Sequence, residues 1–369
     1  MKTAIVHDWL MTQGGAEQVL EEILELYPSP VFTLLQNQDV ALSANIQKAD
    51  VKHSFIQKLP LAKTQYRNFL PLFPFAVERF DLKEYDLIIS SSHAVAKGVK
   101  THPHQLHLCY CHTPMRYAWD LEEQYLESAG AVKAAVARQI LKFVRKWDLN
   151  ATSRVDAFIA NSHFVAERIQ RVYGRESTVI YPPVATGHFA AGSDRGDYYL
   201  TVSRMVPYKR VDLIVEAFNR MPEKKIKIVG EGPELEKLKG RAKGNIEFLG
   251  FQSDLKELLS RAKGFVFAAE DDFGIAPVEA QASGTPVIAY GKGGALETVI
   301  AGETGVFFSE QTAGSLIAAI EECEKIHWNG NLIRANSERF GTERFKREFK
   351  QFVDQQWEQF CENRHSCRR

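Results

Sequence analysis

The sequence predicts an α/β fold built from two Rossmann-like, doubly wound domains, each with a mainly parallel sheet. Short apolar segments alternate with amphipathic helical patterns along the chain, as in consecutive βαβ units. A chain of 369 residues is long enough for two such domains. Pro182 and Pro183 interrupt the alternation with an extended segment that continues neither a helix nor a central strand. We therefore predict an N-terminal domain at 1–184, a C-terminal domain at 185–340 and a terminal helix at 341–369.

Each apolar segment of the N-terminal half lies beside a helical pattern. The segment TAIVH comes before GGAEQVLEEILELY, and VDAFIAN comes before SHFVAERIQRVY. Between them lie DLIISSS and LHLCYCH, whose lengths are typical of buried strands. The C-terminal half repeats the pattern through the apolar segments YYLTVSR, IKIVG, IEFLG, GFVFAA, PVIAY and TGVFF.

The last segment, FKREFKQFVDQQWEQF, has one apolar stripe at helical spacing and charges elsewhere. The stripe consists of Phe345, Phe349, Phe352, Gln356 and Phe360. Because an amphipathic helix must cover its apolar side, we expect 341–369 to pack back towards the N-terminal domain.

Composition excludes several classes of protein. The 46 Lys and Arg residues balance the 46 Asp and Glu residues, so no net charge favours nucleic acid as a partner. No apolar run approaches the roughly 18 residues of a membrane span, and the first residues lack a secretory signal pattern. The 5 cysteines are few and odd in number, which is typical of a reducing compartment. We expect a cytoplasmic protein.

The stretch HPHQLHLCYCHTPMRYAWD, from His102 to Asp120, concentrates histidines and cysteines. Closed zinc sites usually pair two ligand clusters across a long gap, and that pairing is missing here. On a strand the side chains alternate, which places His107, Cys109 and Cys111 on one face of a strand that is buried on both sides. A His-x-His pair can begin a metal site, but packing is the simpler explanation, and we expect no metal. His112 follows the strand at its carboxyl edge.

The segment AAEDDFGIAPVEAQASGTPVIAYGKGGALETVI (268–300) carries the strongest ligand signal. An apolar strand leads into an acidic loop, the turn FGIAP and a helix expected to begin around Val278. Amide groups at such a helix start can bind an anion. Asp271 and Glu279 flank the loop at the edge where open α/β sheets bind ligands, and carboxylates accept hydrogen bonds from hydroxyl groups. A nucleotide sugar meets both conditions, and a capped helix with solvated acids is the alternative.

Two cations are placed to neutralise a diphosphate at the same edge. Arg204 ends a strand in TVSRMVPYKRVDL, and Lys209 lies in the turn before the next helix. Gly14 and Gly15 precede the first helix and would let a phosphate or sugar approach the backbone, although a plain tight turn explains them equally well. No strand is followed by G-x-G-x-x-G, which argues against a dinucleotide cofactor.

Together these residues resemble the retaining glycosyltransferases of family 4, which have the GT-B fold, over nearly the whole chain. DFGIAPVEAQASGTPVIAYGKGGALE is similar to the family's donor-site signature, and GGAE, SRMVPYK and VGEGP stand in the expected order. The resemblance implies that Glu279 binds the nucleotide ribose and that Arg204 and Lys209 hold the diphosphate. It also implies donor contacts from Gly230 in VGEGP and from the backbone amides of Phe273, Gly274 and Ile275. FLGFQSDL (248–255) would line the base pocket.

The segment YCHTPMRYAWD is similar to bacterial members that transfer mannose or related sugars during surface-polysaccharide assembly. The resemblance implies that His112 lies opposite the donor sugar, across the cleft between the domains, and hydrogen-bonds to it. A structural histidine that caps the strand is the alternative. The family usually carries Glu where this chain has Asp271, and Glu270 is adjacent, so either acid could contact the sugar.

The expected reaction moves a hexose, mannose from GDP-mannose, to a lipid-linked or saccharide acceptor with retention of configuration. The sequence has no Asp-x-Asp pair at a strand end, as metal-dependent transferases use, and no evident carboxylate nucleophile. Arg204, Lys209 and a helix N-terminus would stabilise the leaving diphosphate in a front-face substitution without metal or cofactor, with His112 and Asp271 at the sugar. The alternatives are a UDP-sugar-dependent transferase, a GT-B-like sugar-nucleotide epimerase and an inactive nucleotide-binding subunit of an assembly complex.

Two segments, 66–82 and 131–149, are candidates for contact with a lipid-linked acceptor. In the second, Arg138, Lys142 and Arg145 lie on one helical face. The apolar residues near them are Leu141, Phe143, Val144 and Trp147. Such a helix can rest on anionic lipid, which would place the protein at the inner face of the plasma membrane, and a solvated helix is the alternative.

Overall fold

The protein is described by a computed structural model over residues 1–120, 131–192 and 195–366. The chain divides into two compact units, one formed by Met1–Pro183 with Phe345–Arg369 and one formed by Val184–Arg344. The first unit therefore contains residues from both ends of the chain.

One parallel sheet forms the centre of the first unit. Its strands are β1 (Thr3–His7), β2 (Val31–Thr33), β3 (Val51–His53), β4 (Leu87–Ser92), β5 (Leu106–Cys111), β6 (Ala157–Ala160) and β7 (Ser177–Val179). They lie in the order β3-β2-β1-β4-β5-β6-β7, and each neighbouring pair is parallel. Strand order reverses between β1 and β4, which makes the carboxyl ends of these two strands the expected ligand crevice of this sheet.

The helices of the first unit follow the predicted alternation. They are α1 (Gly15–Leu26), α2 (Ala44–Lys48), α3 (Ala62–Gln65), α4 (Phe73–Val77), α5 (Arg116–Trp119), α6 (Ala131–Ala151) and α7 (His163–Tyr173). The terminal helix, α15 in chain order, spans Thr342–Ser366.

The terminal helix packs its apolar stripe on the first unit. Phe345, Phe349 and Phe352 are buried in one cluster with the sheet residue Ile5 and the α1 residue Leu20. Burial of these rings stabilises the docked helix, since each fully buried Phe contributes about 1.5–3 kcal/mol.

An ion pair accompanies this apolar contact. Lys346 of α15 lies 3.2 Å from Glu22 and also pairs with Glu25 of α1. The pairing with both glutamates outweighs burial and raises the pKa of Lys346. The interaction fixes α15 along α1 at one register, because both acids lie on the same turn of that helix.

Strand β5 is buried on both faces, and its residues alternate as predicted. Cys109 and Cys111 pack with Phe158 and its neighbours, whereas Leu108 and Tyr110 face the cluster that α15 covers. His107 is bonded at both ring nitrogens, to Ser90 and to the carbonyl of Arg154 (both 2.8 Å), so its role is structural.

The second unit is a second doubly wound domain. Its strands are β8 (Tyr199–Val202), β9 (Ile226–Val229), β10 (Ile246–Gly250), β11 (Phe265–Phe267), β12 (Val287–Tyr290) and β13 (Gly305–Phe308), in the order β10-β9-β8-β11-β12-β13. Its helices are α8 (Val211–Asn219), α9 (Leu235–Lys239), α10 (Lys256–Arg261), α11 (Ile275–Ala282), α12 (Ala295–Thr298), α13 (Ala313–Lys325) and α14 (Gly330–Glu338). The two parallel sheets with helices confirm the predicted α/β class.

Helix α11 begins earlier than the sequence suggested. The predicted start around Val278 is wrong, because the helix begins at Ile275 with Pro277 in its first turn. Proline is tolerated there, since the amide it lacks would have no intrahelical acceptor. The earlier start brings the first turn of the helix next to the acidic loop.

Candidate functional site

The predicted donor-site residues of the second unit lie at its topological switch point. Strand order reverses between β8 and β11, and open α/β sheets bind ligands outside the carboxyl ends of such a pair. Arg204 follows β8, and Asp271 follows β11. The cation and the acid that the sequence singled out are therefore carried by the two strands that form this crevice.

Lys209 and Asp271 form a salt bridge at this edge, with Nζ donating to Oδ2. Both side chains are mostly buried, with 19% and 20% of their surface exposed. Arg204 is exposed, and among the described residues its guanidinium has no hydrogen-bond partner. Glu270 is exposed too. Of the two adjacent acids, Asp271 is therefore the one that contacts Lys209, the residue predicted to bind the diphosphate.

Gln311, which is remote in sequence, helps to position the loop that carries Lys209. Arg210 has a left-handed backbone, with φ of 53°, and its guanidinium bonds to Asp212 (3.2 Å) and to Gln311 (3.0 Å). The Gln311 amide donates in turn to the carbonyl of Ala268 at the end of β11 (2.8 Å). These bonds hold a backbone conformation that is costly for a non-glycine residue and connect the loops after β8 and β11.

Two glycines hold the acidic loop in place. The amide of Gly294 donates to the carbonyl of Asp271 at 2.9 Å. A Cβ atom on Gly293 would lie 2.4 Å from that carbonyl oxygen, and one on Gly294 would lie 2.3 Å from Cα of Phe273. Gly293 and Gly294 are therefore required for the close approach of the two loops.

The start of α11 presents backbone amides beside the same loop. Phe273 buries its ring against Phe340, with centroids 5.4 Å apart, which anchors the chain just before the helix. Gly274 is the N-cap residue, with φ of 89°, and has no side chain that could satisfy the first amides. The N–H groups of the first turn at Ile275 thus lie in the loop where the sequence predicts an anion site, and anion binding there stays a prediction.

Glu279 lies one turn further along α11. Burial raises the pKa of Glu279 to about 7. No described residue donates a hydrogen bond to this partly buried carboxylate, and a desolvated carboxylate without donors is unfavourable. Two adjacent hydroxyl groups, as on a ribose, would supply the missing donors.

Gly230 joins the loops after three strands. With φ of 123° it lies so close to Ser203 that a Cβ atom would be 2.1 Å from the Ser203 carbonyl oxygen, and its amide donates to Gly250 at 2.8 Å. Phe251 follows Gly250 with 72% of its surface exposed. The predicted base segment thus presents an open aromatic ring at the carboxyl edge of β10.

The first unit has a polar cluster at its own switch point. His7 ends β1 and lies opposite Ser91 of β4 in the sheet. The hydroxyl oxygen of Ser91 lies 3.1 Å from Nδ1 of His7 and 2.8 Å from Nε2 of His112. Burial, together with the nearby rings of His93 and His7, lowers the pKa of His112. His112 is therefore a neutral, hydrogen-bonded imidazole at this edge.

Asp8, next to His7, orders the loop after β4. Its fully buried carboxylate accepts four backbone amide hydrogen bonds from residues 93–96, at 2.6 to 2.9 Å. His93 lies in that loop with Nδ1 at 3.2 Å from Asp8, and its ring stands edge-on to Trp9. The geometry thus places two histidines at one edge of the sheet, with ring centroids of His93 and His112 6.2 Å apart.

Gly14 and Gly15 lie at the start of α1. The amide of Gly14 donates to Oε2 of Glu17 at 2.9 Å, so this amide is occupied by the chain's own carboxylate. The other Glu17 oxygen lies 3.6 Å from Nε2 of His7. Whether either glycine contacts a ligand stays a prediction.

The sequence analysis missed four residues of this cluster: His7, Asp8, Ser91 and His93. A usable signal was present, because each lies at or just after the carboxyl end of β1 or β4, in the strings HD and SSSH. Polar residues at that position are expected to face a ligand crevice. What the sequence lacks is the pairing of the two strands, which sets these residues side by side.

Two family models match consecutive parts of the chain. Residues 14–188 match Glycosyltransferase Family 4, and residues 188–338 match Glycosyl transferases group 1. A GDP-mannose-dependent alpha-(1-6)-phosphatidylinositol monomannoside mannosyltransferase of Mycolicibacterium smegmatis is 29% identical over 193 residues, which is 43% of this chain and 50% of that protein. The chain spans about half the length of the curated relatives it matches.

Solved structures match over nearly all of the chain. Sucrose-phosphate synthase from Thermosynechococcus elongatus superposes with a TM-score of 0.76 at 20% identity, covering 97% of this chain and 99% of that one. HepE of Anabaena, solved with UDP and glucose, gives 0.69 at 18% identity, covering 96% and 100%. At such identities the likeness concerns the fold alone, which is the GT-B fold of two Rossmann-like domains. On the two family models together, the chain belongs to glycosyltransferase family 4.

Proposed function

We propose that this protein is a retaining glycosyltransferase that moves a hexose from a nucleotide sugar to a lipid-linked or saccharide acceptor. The observation that carries the proposal is the grouping of Lys209, Asp271 and Glu279 around the start of α11, at the switch point of the second sheet. A mostly buried cation, a row of helix amides and an unpaired carboxylate suit a diphosphate attached to a ribose. The exposed ring of Phe251 offers a surface on which a base could stack.

We propose GDP-mannose as the donor, because the mycobacterial relative is named as GDP-mannose-dependent. A UDP-sugar is the second candidate, since HepE, which shares the fold, was solved with UDP and glucose. The bond that breaks joins the anomeric carbon to the phosphate oxygen, and the bond that forms joins that carbon to the acceptor oxygen. In a front-face substitution the acceptor proton passes to the departing phosphate oxygen, so no protein base is required.

The chain's own residues would stabilise this leaving group without a metal ion or cofactor. As the glycosidic bond breaks, negative charge grows on the diphosphate, and fixed donors aimed at that charge lower the barrier. Lys209, Arg204 and the amides at Ile275 are the donors available at this edge. Asp271 holds Lys209 in position before the donor arrives and can then accept a hydrogen bond from a sugar hydroxyl.

Release of nucleoside diphosphate tests the function directly. The protein is incubated with GDP-mannose, UDP-glucose or UDP-galactose and a lipid-linked acceptor, and the products are separated by chromatography. Acceptor-dependent release of GDP supports the proposal, and release of UDP alone selects the second donor. Isomerised donor without release of nucleoside diphosphate would identify an epimerase. Unchanged donor in every reaction would indicate an inactive nucleotide-binding subunit.

Binding of nucleoside diphosphate is expected to tighten as pH rises through about 7. Only the ionised form of Glu279 accepts two hydroxyl hydrogen bonds, and desolvation raises the pKa of this partly buried group to about 7. Binding should therefore release a proton below that pH. Isothermal titration calorimetry in two buffers of different ionisation enthalpy measures this proton, and in Glu279→Gln it should disappear.

The same pKa shift has a consequence for stability. Between about pH 4.5 and 7 the folded protein keeps a proton on Glu279 that the unfolded chain has lost, so folding becomes less favourable as pH rises through this window. Glu279→Gln should therefore unfold at a higher temperature than the wild type at pH 8 and at nearly the same temperature at pH 4.5. If Glu279→Gln did not gain in Tm over the wild type between pH 4.5 and pH 8, the assignment would be contradicted.

The proposed membrane surface needs a correction to its residues. Leu141 and Val144 are buried in the core, and Trp147 is partly buried with its indole bonded to Glu78 (2.8 Å), so these three cannot enter lipid. Arg145 also turns inward, donating to the carbonyl of Ala118. Of the described helices none is long and apolar enough to cross a bilayer.

A different set of side chains on the first unit remains exposed. Phe143 of α6 stacks on Phe75 of α4, with centroids 5.9 Å apart and 43% and 52% of their surfaces exposed. Arg138, Lys142 and Lys146 are exposed on the same helix as Phe143. We propose that this aromatic pair and these cations bind anionic lipid at the inner face of the plasma membrane.

Co-sedimentation with phosphatidylglycerol vesicles is expected to be strong at low salt and weak at high salt. Each cation near an anionic surface contributes about 1 kcal/mol, so Lys142→Glu should weaken binding at least fivefold. The double variant Phe75→Ser/Phe143→Ser should abolish the vesicle binding that remains at high salt. Leu332→Ser, which removes an apolar side chain 58% exposed on the second unit, is the matched control. Equal binding of the wild type to neutral and anionic vesicles would refute the proposal.

A further inference from the structure

A chain of polar contacts runs through the first unit from α1 to His112. Oε1 of Glu17 lies 3.6 Å from Nε2 of His7, whose Nδ1 lies 3.1 Å from Oγ of Ser91, which lies 2.8 Å from Nε2 of His112. All four side chains are buried, with 9% or less of each residue exposed. In such surroundings each proton position is decided by its neighbours rather than by water.

The carboxylate of Glu17 sets the direction of this chain. A neutral imidazole carries one proton, and the nitrogen that faces a carboxylate oxygen is the one that holds it. Nε2 of His7 has no hydrogen-bond partner among the described residues, but the negative charge 3.6 Å away favours a proton on it, so its Nδ1 is the acceptor. The single hydroxyl proton of Ser91 then points at His7, so the Ser91 oxygen can only accept from His112.

We propose that Glu17, His7 and Ser91 are positioning residues that fix His112 as the Nε2–H tautomer, so that its Nδ1 offers an acceptor, and no proton, to a substrate hydroxyl. Among the described residues the one hydrogen bond of the His112 ring is that of Nε2 with Ser91, which leaves Nδ1 for a ligand. Burial, which lowers the pKa of His112, keeps the ring neutral and the lone pair present. The tautomer is a property of the protein alone, whereas its use towards a sugar hydroxyl rests on the proposed function.

The reverse arrangement is disfavoured by electrostatics. If Nδ1 of His7 held the proton, the Nε2 lone pair would face the carboxylate oxygen of Glu17 at 3.6 Å, which is repulsive. The second Glu17 oxygen accepts from the amide of Gly14 at 2.9 Å, so the carboxylate cannot turn away without losing that bond. The donor-to-acceptor direction of these hydrogen bonds is therefore set by Glu17 at the start of α1.

The neighbouring serine provides a matched control within the same strand. Ser90 bonds to Nε2 of His107 at 2.8 Å, the same contact that Ser91 makes with His112. Nδ1 of His107, however, lies 2.8 Å from the carbonyl oxygen of Arg154 and must donate to it. His107 is therefore the Nδ1–H tautomer, opposite to His112, and both forms should be visible in one protein.

Long-range ¹H–¹⁵N NMR of the full chain labelled at histidine nitrogen tests the proposal. Signals are assigned by comparison with His112→Gln and His107→Gln. We expect an unprotonated Nδ1 in His112 and an unprotonated Nε2 in His107 at neutral pH. An unprotonated Nε2 in His112, or a doubly protonated ring, would overturn the proposal.

Glu17→Gln gives the sharpest variant. The amide oxygen of glutamine can keep the bond to Gly14, which turns its NH₂ group towards His7. A donor at that position makes Nε2 of His7 the acceptor, so Nδ1 of His7 donates to Ser91 and Ser91 donates to Nε2 of His112. His112, three contacts away from residue 17, should therefore change to the Nδ1–H tautomer. An unchanged His112 signal in this folded variant would show that Glu17 does not set the direction.

Serine variants separate the tautomer from general packing. Ser91→Ala should change the His112 signals and leave His107 as it was, and Ser90→Ala should do the opposite. If the protein transfers sugar, Ser91→Ala should lower kcat/KM about tenfold, the effect of one misdirected hydrogen bond, and Ser90→Ala should change it less than twofold. Equal losses in the two variants would assign Ser91 a packing role only. Absence of transfer with every donor would refute the proposed function and leave the NMR result standing.

Discussion

Lys209→Ala is expected to lower kcat about 10²- to 10³-fold, the usual cost of removing one preorganised donor from a developing anion. The Nζ atom of Lys209 is held at the carboxyl edge of β8 and β11 by Asp271, so the free protein already directs its charge at the crevice. A charge that is in place before the reaction needs no reorganisation when the diphosphate leaves. Turnover is measured as nucleoside diphosphate released per minute at saturating donor.

The fold should tolerate this substitution. Both side chains of the pair keep about a fifth of their surface exposed, and ion pairs in contact with water contribute about 0–1 kcal/mol to stability. We therefore expect the Tm of Lys209→Ala to fall by no more than about 3 °C, since 1 kcal/mol corresponds to roughly that shift in a domain of this size.

Lys224 is the matched control for this experiment. It pairs with Glu324 at 2.6 Å with similar exposure, 17% for the lysine, but it lies before β9, at the amino edge of the same sheet. Lys224→Ala removes the same charge from the same unit without touching the crevice, and its turnover should equal that of the wild type. Equal turnover in Lys209→Ala and Lys224→Ala would refute the electrostatic role of Lys209.

Much of this architecture could be predicted, because it depends on local patterns. The alternation of apolar strands and amphipathic helices fixes a parallel sheet, and the carboxyl ends of its strands are where loops carry ligand residues. Lys209 and Asp271 were selected by that rule alone, and the structure brings them into contact although 62 positions separate them in sequence. The rule works because strand order in doubly wound sheets is restricted to a few arrangements.

The orientation of helix α6 could not be predicted in the same way. Its apolar and basic residues are interleaved, so periodicity does not identify the side that faces the sheet. In the structure Gly98 lies so close to the ring of Trp147 that a Cβ atom would be 2.3 Å from it, and this contact fixes the rotation of the helix. Leu141 and Val144 turn inward as a result, and Phe143 stays outside.

The chain of polar contacts from Glu17 to His112 could not be predicted from the sequence for a different reason. Glu17, His7, Ser91 and His112 are distributed over 1–112, and each has an ordinary structural explanation when taken singly. Only the pairing of β1 with β4, and of β4 with β5, sets them in line. A hydrogen-bond direction is a property of the whole set, so no single residue type or spacing could signal it.

Asp8→Ala is expected to be the most destabilising substitution at either switch point, lowering the free energy of unfolding of the first unit by about 4 kcal/mol. The buried carboxylate accepts four amide hydrogen bonds, and each buried amide left without an acceptor costs about 1–3 kcal/mol. Water entering the small cavity can satisfy some of these amides, which is why the expected loss is below the sum. Urea unfolding followed by tryptophan fluorescence measures it, because Trp9 lies against the loop at His93.

Two comparisons make this prediction specific. Asp8→Asn keeps the shape and one acceptor oxygen but turns an NH₂ group towards two amide donors, so it should recover less than half of the loss. Asp86→Ala removes a carboxylate that accepts one exposed amide bond, from Lys2 at 2.8 Å, and should cost less than about 1 kcal/mol. An Asp8→Ala protein as stable as Asp86→Ala would mean that the loop after β4 is held by its own packing. In that case the positions of His93 and of the neighbouring Ser91 would have to be explained without Asp8.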